Sequence, residues 1–303
     1  MRQRVVRKAS DGEMVDFAKM NTKQLIQLHY EEEKCMAQCV SRSQPFSKER
    51  ADYLQKMYDF ANAIMPWYKH GVKTSYGANE KSVGIICKFL SEDKGEKLLY
   101  EAGVGMGYSC KRFVEIPGVR VRGCDVILTD EVRTLMDQRK NLLIDESTLY
   151  DSLKKMDDDT IDYFYADNVI EHLLPDEFPR ILQLLSRKLK KGGMLFLVIP
   201  NRLTGPHDVS RYFVKKGHRA EGAHFMEMSY LETITKFKIV NIQPEFFTWM
   251  YRGQISALRD HFQILNKIKI CIEAVLGFVI KKTDCGVAFF DRFAMAHYVL
   301  VQK

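Results

Sequence analysis

Along residues 47–65 apolar side chains recur at Tyr53, Met57, Phe60, Ala61 and Ile64, the three-and-four spacing of a helix that buries one stripe. Ser47 supplies an N-cap, Glu49 sits in the first turn, and Pro66 is expected to end the helix. Another helix is predicted over 22–40, so residues 1–75 read as a helical N-terminal cap. From residue 97 the rhythm changes to short apolar runs at 97–100, 119–124, 142–144, 161–166 and 194–199, separated by amphipathic stretches. One of these, 176–190, carries Phe178, Ile181, Leu182, Leu184, Leu185 and Leu189, with Gly192-Gly193 as its expected stop. Strands alternating with helices predict parallel pairing through right-handed crossovers, hence an α/β, doubly wound, mostly parallel sheet covered on both faces. Two more strands are expected at 237–242 and 295–301, with the aromatic and then basic stretch 244–290 between them helical. The chain thus divides into a cap (1–75), a core (76–243) and a helical C-terminal insertion with the final strand (244–303).

The segment KLLYEAGVGMGYSC, residues 97–110, is the most informative. A buried strand runs into Glu101 and then into Gly103, Gly105 and Gly107, which permit a tight turn and let a ligand approach the backbone. The dinucleotide fingerprint needs a glycine at 108, where the chain has Tyr108, which disfavours a nicotinamide oxidoreductase. No Gly-Lys-Ser/Thr follows, so the loop is not a P-loop either. Asp125 ends the next apolar run, 18 residues beyond Gly107, where an acid can accept hydrogen bonds from both hydroxyls of a ribose. The plainer alternatives are a structural turn and a surface acid at a strand end.

Four motifs in order carry a family resemblance: Glu101-Ala-Gly-Val-Gly-Met-Gly107, Asp125, the run ending in Asp167-Asn-Val-Ile-Glu-His-Leu173, and Lys191-Gly-Gly-Met-Leu-Phe-Leu-Val-Ile-Pro-Asn201. Over residues 76–243 the sequence resembles the class I S-adenosylmethionine-dependent methyltransferases, in their small-molecule branch. The resemblance implies a Rossmann-like, seven-stranded sheet with its last strand antiparallel, and S-adenosylmethionine as cofactor. It implies that Gly103 and Gly105 face the methionine part, with Gly107 completing the loop, and that Glu101 helps hold the amino group. Asp125 would take the ribose hydroxyls, Asp145 the adenine, and Asp167 and Asn168 would lie beside the methyl group. The stretch from Asp145 to Asp162 is longer than the family's usual pattern, so Glu146 and Ser147 stand beside Asp145 as adenine candidates.

Methyl transfer to a hydroxyl needs a group that removes its proton, and histidine suits that task near neutral pH. His207 and Asp208 lie in the loop leaving the fifth strand, where ligands of open sheets bind, and His224 precedes the next helix. These three are the catalytic candidates, each with a loop-capping alternative; His172, at a helix start, reads as structural. The Asn/Asp-Pro-Pro-aromatic motif of amino-directed enzymes is replaced by Asp167-Asn168-Val169-Ile170, which favours oxygen as the methylated atom of a small molecule or a glycan or lipid precursor. The rivals are a non-catalytic cofactor-binding protein and an RNA methyltransferase.

Charge bears on that last rival. The net charge of +7 sits on the flanks, with 13 basic and 9 acidic residues in 1–75, 8 and 5 in 244–303, and 25 of each between. A neutral centre argues against a nucleic-acid groove. No apolar run reaches the ~20 residues of a membrane span. Lys267, Lys269, Lys281 and Lys282 bracket an apolar stretch that offers peripheral membrane contact or an ordinary wet helix face. The N-terminus lacks a secretory core, so a cytosolic protein is expected. The seven cysteines form no Cys-x-x-Cys and no Cys/His cluster at zinc spacing. They are expected to be reduced, and no metal site is expected.

Overall fold

The computed structural model describes residues 4–69, 76–251, 254–255, 268, 271–279 and 296–302. The chain opens with an antiparallel hairpin, β1 (Val5–Arg7) and β2 (Met14–Asp16), which the apolar pattern did not signal. Two helices follow, α1 (Thr22–Arg42), reciprocally capped by Asn21 and Gln24, and α2 (Lys48–Tyr68), capped by Ser47 as expected. Pro66 does not end α2. The proline forfeits one amide bond, but Ile64 before it and Tyr68 beyond it are held in a buried cluster with Phe17, Leu25, Leu28 and Phe60, and that packing keeps the last turn helical. The buried Arg50 ties α2 to the core, its guanidinium lying 3.0 Å from Asp176 and 2.9 Å from Glu177.

Helix α3 (Tyr76–Glu92) leads into an alternation of β3 (Lys97–Ala102), α4 (Tyr108–Phe113), β4 (Val119–Asp125), α5 (Asp130–Gln138), β5 (Leu142–Glu146), α6 (Leu149–Lys154), β6 (Ile161–Asp167), α7 (Phe178–Lys188) and β7 (Leu189–Pro200). The last elements are α8 (Tyr230–Lys238), β8 (Gln243–Tyr251), β9 (Gln254–Ile255) and β10 (Ala296–Gln302). The sheet order is β5-β4-β3-β6-β7-β10-β8-β9. Strands β5 to β7 pair in parallel, and β10 runs antiparallel to both β7 and β8. Apart from the two-residue β9, this is the expected seven-stranded sheet with its last strand reversed.

Period-two alternation sends side chains to two cores. Tyr100, Ala102, Phe164, Ala166, Leu195 and Leu197 pack with Phe178, Ile181, Leu185 and Phe237 on one face. Leu99, Val121, Tyr163, Tyr165 and Phe196 pack with Val83, Ile86 and Phe113 on the other.

Three expected elements fall elsewhere. Gly192-Gly193 does not stop α7: the helix ends at Lys188, and β7 already begins at Leu189. The glycines lie where the β6–β7 register slips, between Ile161–Leu189 and Tyr163–Met194, so they accommodate an irregularity inside the strand. Residues 237–242 are not a strand; the capping box of Ser229 and Glu232 starts α8, and Phe237 closes its buried face. The sixth strand is instead β8, within the aromatic stretch that the pattern assigned to a helix. Residues 271–279 are helical, as expected, and Glu273 joins them to the end of β7 by accepting from Asn201 Nδ2 at 2.8 Å. Lys267, Lys269, Lys281 and Lys282 lie outside the described residues. Among those described, no helix is long and apolar enough to cross a membrane.

Candidate active site

The glycine loop hangs from the carboxyl ends of β3 and β4, where the Gly103 and Val104 amides donate to the Cys124 carbonyl at 2.9 and 3.3 Å. Gly103, Gly105 and Gly107 have φ of +68°, +57° and +75°, a region that favours glycine. Their surroundings differ. A Cβ on Gly103 would sit 2.3 Å from Val169 Cγ2, whereas one on Gly105 would meet nothing within 4 Å. Gly103 therefore serves packing, and Gly105 faces open space that a ligand can occupy.

Asp125 closes this shelf. Its two oxygens accept from the Gly105 amide at 2.8 Å and the Ile127 amide at 3.2 Å, leaving lone pairs for further donors. Met106, Val126 and Ile127 beside it are apolar yet exposed, a suitable wall for a flat ring. Sequence reasoning missed that wall, although apolar residues immediately after a strand-end acid were the available signal.

Other predicted cofactor residues are engaged with the protein. Glu101 is 2% exposed and accepts from the Ser109 hydroxyl and, at 2.9 Å, from the Cys110 thiol. Burial pushes its carboxyl up to about 7 against those hydrogen bonds, with the Asp167 and Asp125 charges adding to the rise. Asp145 accepts from the Ser152 hydroxyl at 2.6 Å, and Glu146 pairs with Arg133 at 2.7 Å. Asp167 accepts from Tyr165, Ser82 and Asn168, and burial raises its carboxyl. Asn168 stands at φ +54°, a strained turn for a non-glycine residue at the end of β6.

Beyond β6 and β7 a second constellation forms. His207 Nε2 donates to the Asn201 carbonyl at 3.1 Å, which fixes the tautomer and leaves Nδ1 with the lone pair. Burial lowers the His207 pKa, which disfavours the charged ring, against the Glu227 charge and the Asn201 hydrogen bond. Asp208 does not orient this ring: its oxygens accept from the Ser210 and His224 amides at 2.8 and 3.3 Å. Glu227 does the bridging instead, accepting from the His207 amide at 2.7 Å and from His224 Nδ1 at 2.6 Å. His172 donates from Nδ1 to the Ala223 carbonyl at 3.1 Å, and its ring meets His224 edge-on at 4.8 Å. The cap reaches in through Glu33, which accepts from the Ala223 amide at 3.3 Å. Gly222 permits this approach, since a Cβ there would lie 2.3 Å from Glu33 Oε2 and 2.7 Å from Asp208 Oδ2.

Burial dominates the electrostatics. It raises Glu171 to about 8 despite the His224 charge, and it raises Asp208. It lowers His172 to about 3, helped by the neighbouring His224 charge. For His224 burial opposes the cation, but the Glu227 hydrogen bond and the Glu171, Glu227 and Asp208 charges together raise it to about 9. Glu171, Glu227 and Glu33 were all missed from the sequence. Glu171 sits inside the Asp167–Leu173 motif and Glu227 three residues after His224, whereas Glu33, in a run of three glutamates, looked like a solvated helix face.

No protein-family model matches the chain, and no curated protein matches it in sequence. Solved structures do match. The Burkholderia thailandensis 1,6-didemethyltoxoflavin-N1-methyltransferase, with bound 1,6-didemethyltoxoflavin and S-adenosylhomocysteine, is 13% identical with a TM-score of 0.54, over 86% of this chain and 92% of that one. The Haemonchus contortus phosphoethanolamine N-methyltransferase 2, in complex with phosphomonomethylethanolamine and S-adenosylhomocysteine, is 14% identical with a TM-score of 0.50, over 74% of this chain and 52% of that one. The likeness is one of fold: the expected Rossmann-like methyltransferase sheet.

Proposed function

We propose that this chain, built on the class I methyltransferase fold, is an enzyme that transfers the methyl group of S-adenosylmethionine to an oxygen of a small molecule, a glycan precursor or a lipid precursor. One observation carries the reading. The open shelf at Gly105, closed by Asp125, lies at the carboxyl ends of adjacent parallel strands, and a buried set of acids and imidazoles adjoins it beyond β6 and β7. Ligands of open α/β sheets bind outside those strand ends.

When bound, the cofactor supplies an electrophilic methyl carbon, and the protein's task is alignment and proton removal. Asp125 accepts from the ribose hydroxyls, while Gly103, Gly105 and Gly107 shape the backbone beneath the methionine part. Met106, Val126 and Ile127 flank the adenine, with Asp145 at the next strand end as its polar contact. Asp167 and Asn168 border the methyl position. His207, neutral and with Nδ1 unprotonated, takes the acceptor's proton. Asp208 and His224 hold the loop around it, and Glu227 fixes both histidines. The neutral core continues to favour a small acceptor over RNA.

Calorimetry on the purified chain tests the reading. Saturable binding of S-adenosylmethionine and S-adenosylhomocysteine is expected, with none of NADH. The reverse preference, or no nucleoside binding, overturns it. Native mass spectrometry of the same sample is expected to reveal retained cofactor or acceptor.

Glu101 adds a pH dependence. Its carboxyl is neutral below about 7 because burial disfavours the anion. A ligand ammonium favours the anion, so binding lowers the carboxyl's pKa. Affinity for S-adenosylmethionine is therefore expected to plateau above pH 7 and to fall by up to about tenfold per unit of acidification below it. Glu101→Gln is expected to flatten that profile; an unchanged slope assigns the ammonium to another group.

A further inference from the structure

We propose that Glu171, His172 and His224 together bind one divalent first-row transition-metal cation, with zinc(II) as the type case. This goes beyond the methyltransferase reading and does not depend on it. The three side chains each offer a ligand atom, and these atoms all lie within 4.8 Å of one another. Ligands placed tetrahedrally at ~2 Å from zinc lie ~3.4 Å apart, so a contraction of at most ~1.4 Å between ligand atoms completes the site.

Glu171 supplies the independent sign of a missing ligand. It is 0% exposed, and neither carboxylate oxygen has a hydrogen-bond partner among the described residues. A buried carboxyl left so is costly, and natural proteins pair such groups or place them on metals. Nor do Glu171, Glu227, Asp208 or Glu33 form an ion pair with lysine or arginine among the described residues; Glu33 and Glu227 meet only His29 and His224. Among the described residues, histidines are thus the basic partners of this acid cluster.

The hydrogen bonds of both imidazoles leave one ring nitrogen for a metal. Each donates from Nδ1, His172 to the Ala223 carbonyl at 3.1 Å and His224 to Glu227 Oε1 at 2.6 Å. In the neutral tautomer each Nε2 then carries the lone pair. A ligating histidine nearly always donates its other ring N–H to a carbonyl or carboxylate, which fixes its orientation and raises its basicity. Two imidazoles and one carboxylate suit zinc, iron(II), cobalt(II) or nickel(II) better than the all-oxygen shells of magnesium or calcium. The backbone supports the same junction: the Met226 amide donates to the Glu171 carbonyl at 2.9 Å, holding the turn after β6 against the segment before α8. The absence of zinc spacing in the sequence does not bear on this site, because residues 171 and 172 meet 224 only in the fold.

The test uses the full chain, untagged and stripped with a chelator, titrated with zinc(II) and separately with cobalt(II). One equivalent is expected per chain, with visible cobalt absorption of a nitrogen- and oxygen-ligated ion and a higher melting temperature. Glu171→Gln and His224→Ala are expected to abolish saturable binding, with circular dichroism confirming the fold. Glu227→Gln, which changes the carboxylate partner of His224 and of the His207 amide without removing a ligand, is expected to weaken binding roughly 10–100-fold. X-ray absorption of the zinc-loaded wild-type chain covers the case of a variant that does not fold. A shell with two imidazoles and no sulfur supports the site; a sulfur shell assigns the ion to cysteines and overturns it. So do the absence of saturable binding and equal affinity in the variants.

Discussion

His207→Ala is expected to lower turnover of the methylated acceptor roughly 10²–10⁴-fold, the usual contribution of a positioned general base. Three features set the size of that effect. Burial lowers the His207 pKa, which favours the neutral ring that a proton acceptor requires. The 3.1 Å bond from Nε2 to the Asn201 carbonyl fixes which nitrogen is protonated, and Nδ1 therefore needs no tautomer exchange before it acts. Glu227, 1% exposed at its side chain, anchors the residue through its backbone amide at 2.7 Å. S-adenosylmethionine affinity should stay near wild type, because the proposed base would touch the acceptor rather than the cofactor. His207→Gln separates chemistry from loop structure: glutamine can keep the bond to Asn201 but cannot take the proton, so it should be as slow as alanine. The acceptor comes from native mass spectrometry, and steady-state rates with it decide the matter. A variant within threefold of wild type would move the base to another residue.

Asp125→Ala carries the second large effect. Its carboxylate accepts from the Gly105 and Ile127 amides and still has lone pairs for the ribose hydroxyls. Hydrogen bonds to a charged group contribute about 1.5–3 kcal/mol, so S-adenosylmethionine should bind roughly ten- to a hundredfold more weakly. Part of that loss comes from the freed loop, since the variant leaves the Gly105 amide without its acceptor. Asp125→Asn resolves the two parts: it can restore the amide bonds while lacking the charge, and should recover only some of the affinity. Calorimetry reads both variants. A change of a few tenths of a kcal/mol would assign the ribose to a different acid.

The glycine loop and its acid were legible because their constraints are local. Gly103, Gly105, Gly107 and Asp125 lie within one strand–loop–helix–strand unit, and glycine is the residue that tolerates the left-handed backbone found at all three loop positions. The parallel sheet was legible for a similar reason, since apolar runs alternating with amphipathic helices have one economical packing. Element ends were less so. Gly192-Gly193 looked like a helix stop and lies within β7, and the aromatic run at 246–251 belongs to β8. Glycine pairs and apolar runs have several uses, and the choice among them is made by strand register.

The buried cluster of acids and imidazoles belongs to the tertiary structure. Glu33 lies on α1, Glu171 and His172 follow β6, and His207, Asp208, His224 and Glu227 lie between β7 and α8. No spacing joins them. In the sequence Glu33 is one of three consecutive glutamates; in the fold it meets the Ala223 amide because Gly222 leaves room for its carboxylate. Likewise Glu227, unmarked in the sequence, holds the His207 amide and His224 Nδ1, while Asp208 accepts from the Ser210 and His224 amides. The sequence by itself determined the sheet, the glycine loop and its acid, since propensity, periodicity and backbone freedom act over a few residues. Burial, tautomer and charge at Glu171, His172, His207 and His224 were decided only by the fold. Those properties depend on desolvation and on partners distant in the chain, and neither exists until the segments pack together.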